Sequence, residues 1–273
     1  MTTPFRLLSL PCAPLKRVIQ CFDLLELVGC SVLSNRMNVA SRGAGFRYDF
    51  FVELNGNFLR VYRYMDNTFF FNMDDRINYL VVQNPRHTEQ ARWSKLGLST
   101  GECLSRILHV TNYQQFQLYI GDAPTIDMNC RLLFSALSEI KSVSVITLQN
   151  ETNTFVQKVI DVILPKTSTF FIQTHHMSKK ELQKMLIQNL VSLEIYCDGL
   201  RFQLDDLLMT NATQIGVNPA HLSGKDLNRY FKHWMALNSN SRMEHFSLIM
   251  SRDYNREDIL KGLMAFELPE DQI

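Results

Sequence analysis

What most constrains the fold of this chain is a loose repeat of apolar, strand-like bursts separated by helix-like segments. The bursts lie at Phe116–Ile120, Ser144–Leu148, Phe170–Ile172, Leu193–Tyr196, Gln214–Val217 and Phe246–Ile249. With Tyr119, Ile146, Ile172, Ile195, Val217 and Leu248 as markers, successive steps are 27, 26, 23, 22 and 31 residues. Between and after the bursts, residues 130–137, 154–164, 178–188, 202–209, 225–235 and 256–266 read as helices. Asn153, Ser178 and Ser223 stand where N-caps belong, and Ser178 has Glu181 three residues on. Strand–loop–helix units of roughly 20–29 residues have the period of leucine-rich repeats. The Leu-x-x-Leu-x-Leu-x-x-Asn consensus is not matched. A doubly wound α/β sheet also alternates strand and helix, but with more residues per unit and Gly-rich turns. The class expected is therefore α+β or α/β, with a strand–helix solenoid resembling leucine-rich repeats as its main part.

Ahead of the repeat, Phe46–Leu54 and Phe58–Tyr64 are rich in Phe, Val, Leu and Tyr and flank Asn55-Gly56-Asn57. Asn-Gly between apolar runs predicts a β-hairpin. Thr68–Phe71 suggests a third strand, whereas Asn84–Lys95 is polar and reads as a loop leading to a short helix that ends near Leu108. Ser41–Gly45 is the best boundary between this region and the N-terminus. Before that boundary, Pro14 suits the first position of a helix. Leu15, Val18, Ile19 and Phe22 then share one helical face. Asp23 can cap a second helix, with Glu26 completing a capping box and Phe22 and Leu27 placed for a hydrophobic staple. So small a helical unit carries more apolar surface than it can bury by itself, which suggests a docking module. An ordinary helical hairpin at a domain edge is the plainer alternative.

Several functions are disfavoured by composition and by missing motifs. The 28 Lys and Arg nearly balance the 27 Asp and Glu, without a dense basic run, which argues against nucleic acid as a partner. The six cysteines, Cys12, Cys21, Cys30, Cys103, Cys130 and Cys197, form no Cys-x-x-Cys pair. Free thiols in a reducing compartment are expected. The apolar run after Arg6 is cut by Pro11 and Pro14, unlike a signal peptide, and no segment is long and apolar enough to cross a bilayer. The expected protein is intracellular, cytoplasmic or nuclear or both, without a membrane partner, so the sequons at Asn150 and Asn211 should go unused.

Phosphate-binding loops and the Gly-x-Ser-x-Gly elbow are missing, and Arg42-Gly43-Ala44-Gly45 reads as linker. His175-His176 would point to opposite faces of a strand and make a poor chelate. Asp74-Asp75 and Asp205-Asp206 read as solvated acids, and Cys103 beside His109 as a packed thiol on the Leu104/Ile107/Leu108 face. No enzyme activity, cofactor or metal is expected.

Two segments carry a family resemblance. Leu10-Pro11, Leu15, Ile19, Asp23-Leu24, Leu27 and Leu33-Ser34-Asn35-Arg36 resemble the F-box, with Met37 where that family often has Trp. Gln214–Asn218 through Glu244–Leu248, above all Ser223-Gly224-Lys225-Asp226-Leu227-Asn228-Arg229-Tyr230-Phe231-Lys232-His233-Trp234-Met235, is similar to the type 2 F-box-associated domain of nematode F-box proteins. Independently of the family, Leu227, Tyr230, Phe231 and Trp234 form one helical stripe that should press onto the strand layer. Ile259-Leu260-Lys261-Gly262 fits the family's ending.

The resemblance implies a short three-helix F-box over 4–45, a β-hairpin and connecting segment over 46–115, and an F-box-associated, leucine-rich-repeat-like domain over 116–273. It further implies a substrate-recognition subunit of a Skp–cullin–F-box ubiquitin ligase. Leu10, Pro11, Leu15, Ile19, Leu24 and Leu27 would meet a Skp-type adaptor and, through it, a cullin, while the repeat region holds a target protein. A protein-binding scaffold without ligase coupling, its helices capping the solenoid, is the alternative. A hydrolase on an α/β sheet stands third.

Overall fold

The computed structural model describes residues 7–42, 49–56, 58–62, 68–72, 79–83, 90–94, 97–111, 116–122, 131–149, 154–174, 177–197, 200–236, 239–250 and 255–265. The expectations for Asp74-Asp75, Cys130, the sequon at Asn150, the cap at Asn153 and His175-His176 lie outside these residues. The chain is a mixed α/β protein that divides into two compact units, Met1–Thr167 and Ser168–Ile273.

The first unit opens with a 3-10 turn at Leu7–Ser9, then α1 (Cys12–Gln20), α2 (Leu24–Leu33) and α3 (Asn35–Arg42). Helix α1 begins two residues before Pro14, with Pro11 as its N-cap residue. Pro14 remains in the first turn, where a missing N–H has no intrahelical acceptor to lose. The capping box of α2 forms as expected: Glu26 N donates to Asp23 Oδ1 at 2.7 Å, and Asp23 N donates to Glu26 Oε2 at 3.0 Å.

After the helices come β1 (Phe50–Asn55), β2 (Phe58–Tyr62), β3 (Thr68–Asn72), β4 (Tyr79–Gln83) and β5 (Gln90–Ser94), each antiparallel to the next. Asn55 pairs with Phe58 across the turn, and Gly56 takes the left-handed φ of 55° that a side chain would resist. The polar stretch 84–95, expected as a loop, holds β5. Its five residues, Gln-Ala-Arg-Trp-Ser, alternate polar and apolar, too short a pattern to stand out until β4 supplies the ladder.

Helix α4 (Thr100–Thr111) leads to β6 (Phe116–Ile120), and α5 (Arg131–Ser138) to β7 (Val143–Gln149). Helix α6 (Thr154–Ile163) and a 3-10 turn at Leu164–Lys166 close the unit. Strand β6 is parallel to both β1 and β7, so β1 joins the antiparallel meander to the parallel strands. Period-two burial in β2 and β6 places Leu59, Val61, Phe116, Leu118 and Ile120 inside.

In the second unit, β8 (Thr167–Gln173), α7 (Lys179–Leu186), β9 (Ser192–Tyr196), α8 (Leu204–Met209), β10 (Gln214–Ala220), α9 (Gly224–Met235), β11 (His245–Met250) and α10 (Arg256–Leu260) alternate. The strands are parallel and lie side by side in chain order, each return running through a helix. Register aligns Phe170, Leu193, Ile215 and Phe246 in one row and Ile172, Ile195, Val217 and Leu248 in the next. In β8, β9 and β10 those residues are buried, whereas most positions between them in β8 and β9 stay accessible. A parallel sheet covered on both faces would read as continuous apolar runs instead.

The expected caps at Ser178 and Ser223 each form a capping box, with Glu181 and with Asp226. A side-chain chain reinforces the starts of the strands. Asn189 Oδ1 accepts from Asn211 Nδ2 and, at 3.0 Å, from Arg242 Nη1, while Asn240 Nδ2 donates to Ala212 O at 2.8 Å. Asn189 and Asn211 stand 22 residues apart, one repeat step, so their pairing follows the period of the strands.

Candidate functional site

Helix α4 contributes to the core of α1–α3. Ile19, Leu27, Met37 and Val110 form one buried cluster, with Leu7, Leu15, Phe22, Cys30 and Ala40 packed at its edge. Phe22 and Leu27 thus meet in one cluster, as a staple across Asp23 requires. Arg106 of α4 reaches over the end of α2: Nη1 donates to Val32 O at 2.6 Å, and Nη2 donates to Asn35 Oδ1. Asn38 Nδ2 returns a bond to Arg106 O at 3.2 Å, and Asn38 Oδ1 lies 2.8 Å from His109 Nδ1. Asn38 Oδ1 can only accept, so His109 Nδ1 donates to it, while burial first and then the Arg42 charge hold the His109 pKa below its ordinary value.

These contacts distribute the expected adaptor-facing residues unequally. Pro11 is exposed and Leu10 and Leu15 are half-buried, whereas Ile19, Leu24 and Leu27 are buried within the chain. Leu8, which sequence reading did not single out, is exposed. It lines an open groove of about 660 Å³ together with Leu7, Cys30, Ser34, Arg36 and Met37. The groove is mostly apolar, and Arg36 is the charged residue in its lining.

In the second unit, the Lys225-Asp226-Leu227-Asn228 run has a separate task for three of its four side chains. Asp226 N donates to Ser223 Oγ at 3.1 Å, while Asp226 Oδ2 takes the Ser223 N–H at 3.1 Å. Leu227 enters the core. Asn228 Nδ2 donates to Ile259 O at 2.7 Å and to Lys261 O at 2.9 Å, tying α10 to α9. Within the predicted stripe, Tyr230 is the fully buried member, while Phe231 and Trp234 are half-buried. The Tyr230 ring lies 5.7 Å from that of Phe231 and 5.6 Å from that of Phe246, and its hydroxyl donates to Met243 Sδ at 3.1 Å. Core anchoring thus belongs to Tyr230 rather than to Trp234, because α9 ends one residue after Trp234, at the margin of the layer.

Asp205 is exposed as expected, but Asp206 is buried. Its Oδ2 accepts the Gln203 N–H at 3.0 Å at the start of α8, and its Oδ1 faces Lys179 Nζ at 3.8 Å, so it is a structural cap and not a solvated acid. Cys103 is buried, and loss of solvation pushes its thiol up to about 12, which denies it the thiolate a nucleophile needs. Among the described residues there is no group of three or more His, Cys, Asp or Glu placed to hold a metal ion, and no helix is long and apolar enough to cross a membrane.

The thiols offer a direct check of this packing. Cys12 and Cys21 are exposed, whereas Cys103 and Cys197 are buried. Native alkylation with iodoacetamide, followed by peptide mass spectrometry, should label the exposed pair first. Cys103 should react at least ~100-fold more slowly until denaturant is added, since both access and thiolate population are lost. Rapid native labelling of Cys103 would contradict the packing of α4.

Comparison of the chain with curated proteins and with solved structures found no match. Residues 181–248, running from α7 into β11 and containing the Ser223–Met235 run, match the family model described as F-box associated, so the second unit contains an F-box-associated domain.

Proposed function

We propose that this protein is the substrate-recognition subunit of a Skp–cullin–F-box type ubiquitin ligase, non-enzymatic itself and acting by proximity. The observation that carries the reading is the F-box-associated match at 181–248 in a chain that opens with a capped helical module bearing an apolar groove. In this reading Leu10, Pro11 and Leu15, with Leu8 of the groove, meet a Skp-type adaptor that connects to a cullin. Ile19, Leu24 and Leu27 support that surface from below. The second unit holds the target, and tethering raises the effective concentration of target lysines near the charged conjugating enzyme. The receptor forms and breaks no bond of its own. The inward burial of Ile19, Leu24 and Leu27 favours a second reading, in which the helices cap a protein-binding scaffold that never meets an adaptor.

Co-purification with a Skp-type adaptor separates the two. The wild-type chain should capture it, and Leu8→Asp combined with Leu15→Asp should weaken capture at least ~10-fold, because each places a charge where apolar area is buried. A thermal melt alongside controls for folding. If the folded wild-type chain captures no adaptor, the scaffold reading takes its place.

A further inference from the structure

The strands of the second unit, β8 to β11, hold one carboxylate, Glu194, and no Lys or Arg. Glu194 lies on the accessible face of the sheet, opposite to the buried rows of Leu193 and Ile195. In register it sits between Phe171 of β8 and Gly216 of β10. A Cβ on Gly216 would come 2.6 Å from Glu194 Cδ, so the missing side chain is what lets the carboxylate lie flat across the neighbouring strand. Glu194 has no hydrogen-bond or ion-pair partner among the described residues. Two positions along β9 on the same face stands Tyr196, 38% exposed, its ring centroid 5.1 Å from that of Phe171 at an interplanar angle of 30°.

An unpaired carboxylate held down by a glycine and flanked by an aromatic pair complements one kind of group. A planar cation can pair with the carboxylate through its edge and stack on the ring through its face. Arginine does both, whereas the compact, strongly hydrated ammonium of lysine loses more on leaving water. We propose that this sheet face binds an arginine side chain of a target polypeptide, with the guanidinium paired to Glu194 and stacked on Tyr196. The arginine's origin in a ligase target rests on the receptor reading, but the chemistry of the site does not.

The test uses the full-length chain and N-acetyl-arginine methylamide as probe, followed by ligand-observed NMR titration. The probe should bind saturably, while its neutral isostere, N-acetyl-citrulline methylamide, binds at least ~10-fold more weakly because the charge is gone. Glu194→Gln should weaken the arginine probe by a similar ~10-fold and remove the salt dependence of its binding. Gly216→Ala should weaken it too, since the new Cβ displaces only the flexible end of Glu194 and leaves the backbone undisturbed. Unchanged amide spectra would show that both variants remain folded. Absence of saturable binding, equal binding of the citrulline probe, or indifference to Glu194→Gln would overturn the site. Adaptor capture is read separately: its failure with arginine binding intact removes the ligase and keeps the site, and the reverse removes the site and keeps the ligase.

Discussion

Replacing Ile19 with Asp should unfold the N-terminal helices and α4 together. Ile19 is 0% exposed and shares its cluster with Leu27, Met37 and, from α4, Val110. A carboxylate there loses its hydration, finds no cation in the cluster, and removes the apolar contacts of the isoleucine as well. The expected loss is about 4 kcal/mol or more, in the range where buried charges and cavities act together. Urea denaturation gives the magnitude, and amide hydrogen exchange gives the extent. Protection should fall in α1–α3 and in α4 alike. If α4 kept its wild-type protection while α1–α3 lost theirs, Val110 and Arg106 would not be binding the segments into one cooperative unit. Lost adaptor capture in Ile19→Asp would report folding, whereas Leu8 is exposed and Leu15 only half-buried at the edge of the cluster.

The second large effect is expected at Tyr230, the largest fully buried side chain among the described residues. Tyr230→Ala removes the ring that packs against Phe231 and Phe246 and should cost ~3–5 kcal/mol, as aromatic-to-alanine changes in cores do. Tyr230→Phe keeps the ring and loses only the hydroxyl bond to Met243 Sδ, a weak acceptor, so it should cost no more than about 1 kcal/mol. The pair differ in pH response as well. Burial pushes the Tyr230 phenol up to about 12. The folded state therefore holds this proton more tightly than the unfolded chain, whose tyrosines titrate near pH 10. This contribution to stability is intact below pH ~10 and is lost as pH rises from there towards 12. Urea melts between pH 8 and 11 should show wild-type stability declining, and Tyr230→Phe declining less. Parallel declines would mean that the hydroxyl is not isolated from solvent.

Much of the repeat was legible because it is local. Strands β6 to β11 and helices α5 to α9 follow from apolar periodicity within 5–12 residues, and the caps at Asp23, Ser178 and Ser223 from side chains three residues apart. Strand β5 escaped because its ladder partner, β4, lies outside the window that periodicity inspects. Asp206 was misread for a related reason: two adjacent acids look solvated until α8 turns one of them inward against Gln203 N. The Ser223–Met235 run pointed to the F-box-associated match, but not to the division of labour within it. That Tyr230 outranks Trp234 depends on where α9 ends over the strands.

By itself, then, the sequence determined the alternation of strand and helix, the capped starts of the helices and the F-box-associated segment, all set by short-range spacing and hydrogen bonding. Tertiary structure alone decided which apolar residues are spent inside the chain and which remain to meet a partner. Ile19 and Leu15 lie on one helical face, yet α4, arriving from more than sixty residues away, covers the first more fully than the second. Glu194 and Gly216 likewise become neighbours only when β9 and β10 pair. Burial is a property of what packs against a side chain, and for these residues the packing partner is distant in the chain.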